Sequence, residues 1–193
     1  MNSSLQLKLA SSSPRRREIL RSLGVDFEVE SVHTDERRLG NEPAAEMVLR
    51  LATAKATAAR SGDIVLAADT VVVLGERILG KPVDADDAIG MLLALSGKTH
   101  AVMSGVALRS PAGIDMALST TKVRFREIGR DEAYRYWQSG EPCDKAGAYG
   151  IQGLGGIFVT AIEGSYSGVM GLPVFETVEL LKSAGIEILL DRK

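Results

Sequence analysis

Apolar and polar residues alternate at the start of the chain and then give way to helical spacing. Leu5, Leu7 and Leu9 alternate with polar residues, which predicts a short strand with one buried face. The segment SSSPRRREILRSLG follows and has the features of a helix, with Ser13 as N-cap, a proline in the first turn and Gly24 as the stop. A strand followed by a helix is therefore expected to open the fold.

The next part of the chain continues this alternation of strand and helix patterns. DFEVESV predicts a second strand, and residues 44–60 carry apolar side chains at helical spacing. The run LAADTVVVLGERILGKP predicts two strands that form a hairpin turning at Gly75-Glu76. VDADDAIGMLLALSG then predicts a helix that is opened by Asp84 and closed by Gly97.

Longer strands are predicted in the second half. KTHAVMSGVALRS and MALSTTKVRFREI flank a PAGID turn, and RDEAYRYWQSG predicts a short helix. The glycine-rich segment DKAGAYGIQGLGG precedes a strand, IFVTAIEG, and a last helix, PVFETVELLKSAG. Strands and helices alternate without regular order, which favours an α/β fold with a mixed sheet. No repeat or linker marks a boundary, so residues 1–193 are expected to form a single domain.

Composition narrows the class of protein. The chain has 193 residues, 45% hydrophobic and 25% charged, which is typical of a globular protein. A net charge of −2 argues against binding to a nucleic-acid polymer, although a single nucleotide needs only a local cluster of cations. The single cysteine, Cys143, allows no intramolecular disulfide, and no apolar run approaches the roughly 18 residues of a membrane span. We therefore expect a cytoplasmic protein without a membrane partner.

The junction LASSSPRRREIL, between the first strand and the first helix, is the first candidate site. A helix N-terminus presents unpaired backbone N–H groups to a phosphate, and Ser13, Arg15 and Arg16 add further donors. Exposed cations at this end of a helix cost about 0.3–1 kcal/mol each, so three consecutive arginines indicate an anionic ligand. A capped helix with a solvated basic first turn is the alternative. No Walker or Rossmann glycine motif is present.

Asp69 is the second candidate, because it follows the apolar run DIVLAA. A carboxylate is costly in a sheet unless it is paired, metal-bound or placed at the strand's open end. Thr70 adds a hydroxyl next to it, and we expect the return strand of the hairpin to bring Lys81 towards Asp69. An aspartate that ends a strand and caps a turn is the alternative.

Three further segments are ambiguous on the residues alone. Lys55 borders the apolar face of its helix, four residues after Leu51, as a lysine that extends its ammonium to solvent would. Asp35 and Glu36 are either an exposed acidic pair or ligands of a hard divalent cation. Gln152 could read the edge of a nucleobase, and the glycines around it are expected to adopt positive φ and bring backbone amides to a ligand. A flexible loop with a solvated glutamine is the alternative.

Six segments occur in the order and spacing of the Maf-like nucleotide pyrophosphatases, over roughly residues 7–181. They are LASSSPRRREIL, LATAKA, AADTVV, GKP, DKAGAYGIQG and VMGLP. The resemblance implies a Maf-like, ITPase-like fold with a mixed bent sheet, flanking helices and two lobes around a deep cleft, often as a homodimer. It also implies that a divalent cation, Mg²⁺ or Mn²⁺, assists hydrolysis of nucleoside triphosphates to the monophosphate and pyrophosphate. The AGAYGIQG segment resembles the branch that acts on dTTP and UTP.

The resemblance also implies roles for individual residues. The expected catalytic residues are Asp69, Lys81 and Lys55. The expected metal ligands are Asp35 and Asp69. The expected substrate-binding residues are Ser13, Arg15, Arg16, Thr70 and Gln152. One departure from the family pattern is VHTDERR, where relatives often carry another acid at the position of His33-Thr34.

These roles predict a mechanism in which Asp69 takes a proton from the attacking water, directly or through a metal-bound water. The lysines would neutralise the phosphates, and Gln152 with Thr70 would pair with uracil or thymine. Such an enzyme would cleanse nucleotide pools or act in cell-division arrest. Two alternatives remain at this point: a non-catalytic nucleotide-binding regulator of cell division, in which Asp69 and Lys81 form a structural ion pair, and a hydrolase of another phosphoanhydride such as a nucleotide sugar.

Overall fold

A computed structural model describes residues 6–60 and 64–188 of the chain. Within these two ranges the chain forms seven strands and six α-helices. The strands are β1 (Leu7–Ala10), β2 (Glu28–Glu30), β3 (Ile64–Leu74), β4 (Arg77–Leu79), β5 (Thr99–Ser110), β6 (Gly113–Phe125) and β7 (Val159–Glu163). The helices are α1 (Pro14–Ser22), α2 (Ala44–Ala58), α3 (Ala85–Leu95), α4 (Arg130–Gln138), α5 (Tyr166–Met170) and α6 (Val174–Ser183).

The strands are hydrogen-bonded in the order β2-β1-β3-β5-β6-β7, and β4 pairs with β3. β1 runs parallel to β2 and to β3, whereas β4 is antiparallel to β3 and β7 is antiparallel to β6. The predicted α/β fold with a mixed sheet is therefore confirmed. Among the described helices, none combines the length and the apolarity that crossing a bilayer requires.

Contacts divide the chain into two compact units. Unit 1 contains the described residues up to Asp69, Ser104–Ser119, and the described residues from Gly171 onwards. Unit 2 contains Thr70–Met103 and Thr120–Met170. The chain passes from unit 1 to unit 2 inside β3. The prediction of a single domain with two lobes and a deep cleft stays a prediction.

The opening strand differs from the expectation of one buried face. All four residues of β1 are buried, so the side chains on both faces of this internal, parallel strand are covered. Lys8 is one of these buried residues, and its Nζ lies 3.0 Å from Glu30 Oε2, with which it forms an ion pair. Leu5, the first residue of the predicted alternation, lies outside the described residues.

Local signals placed several helix ends and one turn correctly. The Ser13 hydroxyl caps α1 by accepting a hydrogen bond from the backbone N–H of Arg16, and the Asp84 carboxylate caps α3 in the same way. The β3–β4 hairpin turns at Gly75-Glu76, where Leu74 pairs with Arg77. Gly75 has a φ of +59°, which suits the tight two-residue turn.

Three differences from the predicted elements concern unit 2 and the β5–β6 connection. The turn between β5 and β6 contains two residues and is shorter than the predicted PAGID turn. The glycine-rich segment forms three short 3₁₀ turns, Glu141–Asp144, Ala146–Ala148 and Leu154–Phe158, before β7. The short helix α5 was not predicted.

Candidate active site

Asp69 lies in the interior of β3, so the alternative of an aspartate that ends a strand and caps a turn is wrong. β3 continues for five residues beyond Asp69 to Leu74, and the residues from Ile64 to Ala68 are buried. The Asp69 carboxylate is itself buried, with a relative exposure of 7% for the whole residue. A charged group at such a position needs a partner, because desolvation of an unpaired carboxylate costs several kcal/mol.

That partner is Lys55, which the helix α2 brings to the same place. The buried face of α2 contains Met47, Val48, Leu51, Ala52, Lys55 and Ala56. Lys55 therefore occupies a position within the apolar stripe of the helix, where periodicity favours a hydrophobic side chain. Only 9% of the residue is exposed, so the interpretation of Lys55 as a lysine that reaches solvent is wrong.

Lys55 joins two carboxylates in what we call the acid–lysine cluster, consisting of Glu36, Lys55 and Asp69. Its Nζ donates to Asp69 Oδ1 at 2.6 Å and lies 2.6 Å from Glu36 Oε1. The Glu36 side chain is about half exposed, at 49%, whereas the side chains of Lys55 and Asp69 are each 11% exposed. The cluster thus extends from the buried interior of unit 1 to solvent.

The first turn of α1 contributes an arginine near this cluster. Arg16 Nε donates to the carbonyl oxygen of Gly171 at 2.8 Å, and its Nη1 lies 3.5 Å from Ser11 Oγ. Burial lowers the pKa of Arg16, while the negative charges of Asp69 and Glu36 oppose that shift. The structure therefore places the Arg16 guanidinium within electrostatic range of both carboxylates.

The remaining residues of the predicted phosphate turn have separate surroundings. Ser13 is the N-cap of α1, and Arg15 is half-buried in the first turn. Arg17 donates from its Nη2 to the carbonyl oxygen of Ser12 at 3.3 Å. The first turn of α1 contains no acidic residue.

Asp35, which was predicted as a metal ligand, is paired with Arg37 in the structure. Its two carboxylate oxygens accept hydrogen bonds from the Arg37 guanidinium, at distances of 2.7 to 3.0 Å. These bonds, the first of several causes, hold the pKa of Asp35 at about 2. The acid that reaches the acid–lysine cluster is the adjacent residue, Glu36.

The carboxylates of the cluster suit a hard divalent cation whose other ligands are water molecules and substrate oxygens. Glu36 and Asp69 each offer carboxylate oxygens and are both paired with the Lys55 ammonium. Mg²⁺ is commonly bound through one or two carboxylates plus substrate phosphates. Within residues 6–60 and 64–188, no group of three acidic, histidine or cysteine side chains forms a complete protein cage for a metal.

Three predicted site residues belong to unit 2. Thr70 is half-buried in β3, Lys81 is exposed two residues after β4, and Gln152 is exposed in the glycine-rich segment. The Gly147 N–H donates to the carbonyl oxygen of Gly80 at 2.9 Å. This bond joins the backbone next to Lys81 to the glycine-rich segment.

The glycines around Gln152 differ from the expected role. Gly147 alone among the five glycines of this described segment has a positive φ, of 68°. The N–H groups of Gly150, Leu154 and Gly155 donate to side chains of unit 2. These backbone amides therefore serve the internal structure of the segment.

Two residues contribute to this geometry through contacts that the sequence alone did not show. Glu36 has the same local pattern as Asp35, and only the folded chain shows which of the two meets Lys55. Glu141 binds the glycine-rich segment, although no periodicity marks it. A signal did exist for Lys55, because its spacing from Met47 and Leu51 placed it within the apolar stripe.

The fold and the acid–lysine cluster, with an arginine-bearing helix N-terminus beside it, define an α/β protein with a candidate site for phosphorylated ligands. The sequence profile described as "Maf-like protein" matches residues 6–184 of the chain. The chain therefore belongs to the Maf-like family.

Curated relatives agree with this assignment over nearly the whole chain. The chain is 54% identical to a protein of Hahella chejuensis named dTTP/UTP pyrophosphatase, over 95% of this chain and 94% of that protein. Proteins with the same name from Vibrio parahaemolyticus and Saccharophagus degradans are each 49% identical, over 94% and 97% of this chain and 98% and 92% of their own lengths. The solved structure of the Staphylococcus aureus Ham1 protein matches at a TM-score of 0.42 and 14% identity, over 66% of this chain and 79% of that chain.

Proposed function

We propose that this protein is a nucleoside triphosphate pyrophosphatase that hydrolyses dTTP and UTP to the nucleoside monophosphate and pyrophosphate. Relatives with about half of their residues identical bear the name of that activity. The observation that carries the proposal is the acid–lysine cluster, in which a buried ammonium bonds to Asp69 and Glu36. Buried ion pairs of this kind contribute little to the stability of the fold. Buried ionisable groups with charged partners are, however, common in active sites.

Asp69 is the proposed general base. A water oxygen forms a bond to the α-phosphorus, the bond from that phosphorus to the bridging oxygen breaks, and pyrophosphate leaves. The proton of the water passes to a carboxylate oxygen of Asp69, which Lys55 orients through its hydrogen bond. Positive charge on Lys55 and Arg16 stabilises the charge that builds up on the phosphates.

Glu36 and Asp69 are the proposed holders of a divalent cation, Mg²⁺ or Mn²⁺. When bound, such a cation neutralises phosphate charge and lowers the pKa of a coordinated water. The proposal favours Glu36 over Asp35, because the Asp35 carboxylate is engaged by Arg37. Both Glu36 and Asp69 provide the oxygen ligands that hard cations prefer.

The remaining candidates keep the roles that the family resemblance implies, as proposals. Ser13, Arg15 and Arg16 bind phosphate oxygens, supported by the capped N-terminus of α1. Lys81 supplies further positive charge to the phosphates. Thr70 and Gln152 select the pyrimidine base by hydrogen bonds to its edge.

A product assay tests the proposed activity. Purified protein is incubated with dTTP, UTP, CTP, ATP, GTP and a nucleotide sugar, with Mg²⁺ or with Mn²⁺, and the products are identified. The expected products are the monophosphate and pyrophosphate, formed fastest from dTTP and UTP. Inorganic phosphate or a sugar phosphate would show a different hydrolase, and the lack of any product would favour a nucleotide-binding regulator.

We further propose a cytoplasmic homodimer that acts on the nucleotide pool. The substrate class supports the location, because free nucleoside triphosphates are cytoplasmic metabolites. Sedimentation velocity of the purified protein tests the assembly, and cell fractionation tests the location. A monomeric mass over the working concentration range would contradict the dimer.

A further inference from the structure

The carboxylate of Glu141 holds the glycine-rich segment on one side of Gln152. Its Oε2 accepts a hydrogen bond from the Leu154 N–H at 2.8 Å, and its Oε1 accepts one from the Gly155 N–H at 3.0 Å. Both amides follow Gln152 closely in the chain. The backbone on this side of Gln152 is therefore attached to a single acidic side chain.

Tyr136 extends the same arrangement to the other side of Gln152. Its hydroxyl donates to Glu141 Oε1 at 2.7 Å and accepts from the Gly150 N–H at 3.0 Å. The ring of Tyr136 is buried, 5.1 Å from the ring of Phe158. We call Glu141 and Tyr136 the loop clamp, since they bind backbone amides on both sides of Gln152.

The glycines of the segment leave the space that the loop clamp occupies. A Cβ at Gly153 would overlap the Glu141 carboxylate, and a Cβ at Gly155 would lie 2.5 Å from the Tyr136 hydroxyl. A Cβ at Gly150 would lie 3.0 Å from Glu141 Oε1. The glycine pattern is therefore a steric requirement of the clamp.

Electrostatics support an ionised Glu141 at neutral pH. Burial opposes its ionisation, but hydrogen bonds from Gly155, Tyr136 and Leu154 together hold its pKa below the ordinary value. Lys145 lies close by, with its Nζ donating to the backbone carbonyl of Glu141 at 2.6 Å. The carboxylate thus keeps its acceptor capacity towards all three donors.

We propose that Glu141 is a positioning residue for base selection: with Tyr136, its carboxylate fixes the backbone around Gln152 and so sets the direction of the glutamine amide. This inference rests on the proposed function of the protein. Gln152 is exposed on a short glycine-rich segment, and an unfixed segment would have to be ordered whenever a nucleotide binds. A loop fixed in advance reduces that entropic cost and holds donor and acceptor in a defined geometry.

The variant Glu141→Gln tests the role, because it keeps the size of the side chain and places an amide NH₂ among N–H donors. The expected result is a rise in KM for dTTP and UTP of about tenfold, with kcat changed less than about twofold. The preference for dTTP and UTP over ATP and GTP is expected to narrow by a similar factor. Tyr136→Phe, which removes only the hydroxyl, is expected to change KM in the same direction and by less.

Matched controls separate positioning from general loss of stability. Glu132→Gln removes a different carboxylate of unit 2, one that pairs with Arg126, and should leave KM and selectivity unchanged. Gly153→Ala should reproduce the KM effect of Glu141→Gln because its methyl group displaces the carboxylate. Gly129→Ala should not, because a Cβ at Gly129 meets no atom within 4 Å.

Amide hydrogen exchange provides a readout that does not depend on turnover. The amides of Leu154 and Gly155 should exchange faster in Glu141→Gln than in the wild type or in Glu132→Gln. If the wild type fails to hydrolyse dTTP and UTP, the proposed function is wrong, while unchanged exchange in Glu141→Gln would disprove the clamp itself. If exchange accelerates but KM and base preference stay at wild-type values, the positioning role is wrong.

Discussion

At the scale of single residues, Lys55 is the most unusual feature of unit 1. An ammonium and a carboxylate have both been removed from water, at a cost of several kcal/mol per ion that their attraction only partly returns. Hydrophobic side chains at positions 55 and 69 would stabilise the fold as well or better. The half-exposed Glu36 gives Lys55 a second partner that reaches solvent. A buried Lys55–Asp69 pair with a half-exposed second acid is therefore better explained by a role in catalysis than by a contribution to stability.

Asp69→Asn should separate the catalytic role of the carboxylate from its structural one. The amide cannot accept the proton of the attacking water, so kcat should fall by at least about 10²–10⁴-fold. The free energy of unfolding should fall by about 1–3 kcal/mol, because Lys55 loses its buried partner and retains Glu36. Pyrophosphate release measures the loss of kcat, and urea unfolding measures the loss of stability. Asp115→Asn, at an exposed position of β6, is the control. Pyrophosphate release by Asp69→Asn at nearly the wild-type rate would show that Asp69 is not the general base.

Glu36→Gln and Asp35→Asn should have different effects on metal dependence. Glu36 shares Lys55 with Asp69, whereas Asp35 is paired with Arg37. Loss of the Glu36 charge should raise the Mg²⁺ concentration for half-maximal activity by about tenfold or more. Asp35→Asn should shift it by less than about twofold. Activity measured against Mg²⁺ concentration at saturating nucleotide decides which of the two acids is the ligand. A larger shift in Asp35→Asn than in Glu36→Gln would indicate that Asp35 is the ligand.

At the scale of elements, the position of α2 depends on a close approach to β5. A Cβ at Gly105 would lie 2.7 Å from the backbone carbon and oxygen of Val48, which is nearer than backbone atoms tolerate. α2 therefore packs directly on the strand at this glycine. The same helix carries Lys55 to Asp69, so the contact at Gly105 also contributes to the geometry of the acid–lysine cluster.

Gly105→Ala should therefore damage both the stability and the site. The backbone of α2 must move to admit the methyl group, so the free energy of unfolding should fall by about 1–3 kcal/mol. Gly90→Ala is the matched control, because Gly90 is an exposed position of α3 with open space around it. That change should raise stability by about 0.5–1 kcal/mol, since alanine favours a helix over glycine. Urea unfolding of both variants measures this, and equal stability of the two would disprove the close packing.

Elements and caps were largely predictable from sequence because their signals are local. Ser13, Asp84 and the Gly75 turn each act through neighbouring backbone groups, and each was placed correctly. The pairing of Asp69 with Lys55 was missed, since Lys55 lies on another element and Lys81 was the lysine expected beside Asp69. The contact of Glu36 with Lys55 and the close approach at Gly105 were missed for the same reason. Their importance depends on contacts between distant segments, which a single sequence does not contain.

At the scale of the whole molecule, the two units have separate cores of different character. Small residues pack around α2 in unit 1, among them Ala52, Ala56 and Ala107. Unit 2 has an aromatic core in which the ring of Phe125 contacts His100 and Tyr149 edge to face. The core of unit 2 thus encloses an ionisable imidazole, and this couples the stability of the chain to pH.

His100 is 3% exposed, and its Nε2 lies 2.9 Å from the Tyr149 hydroxyl. Its Nδ1 has no hydrogen-bond partner within the described residues. Burial lowers the pKa of His100 from 6.5 to about 4, so the folded protein keeps the ring neutral. Protonation in this range thus favours the unfolded state.

The protein should consequently lose stability as the pH falls from about 6.5 to about 4. The unfolded chain binds a proton at His100 near pH 6.5 and the folded chain does so only near pH 4, so this site contributes a loss of at most about 3 kcal/mol over that interval. Urea unfolding at several pH values measures the loss, and His100→Gln should reduce it because glutamine does not titrate. NMR in a His33→Gln background follows the remaining histidine directly, and a His100 pKa near 6.5 would contradict the burial of a neutral imidazole in unit 2.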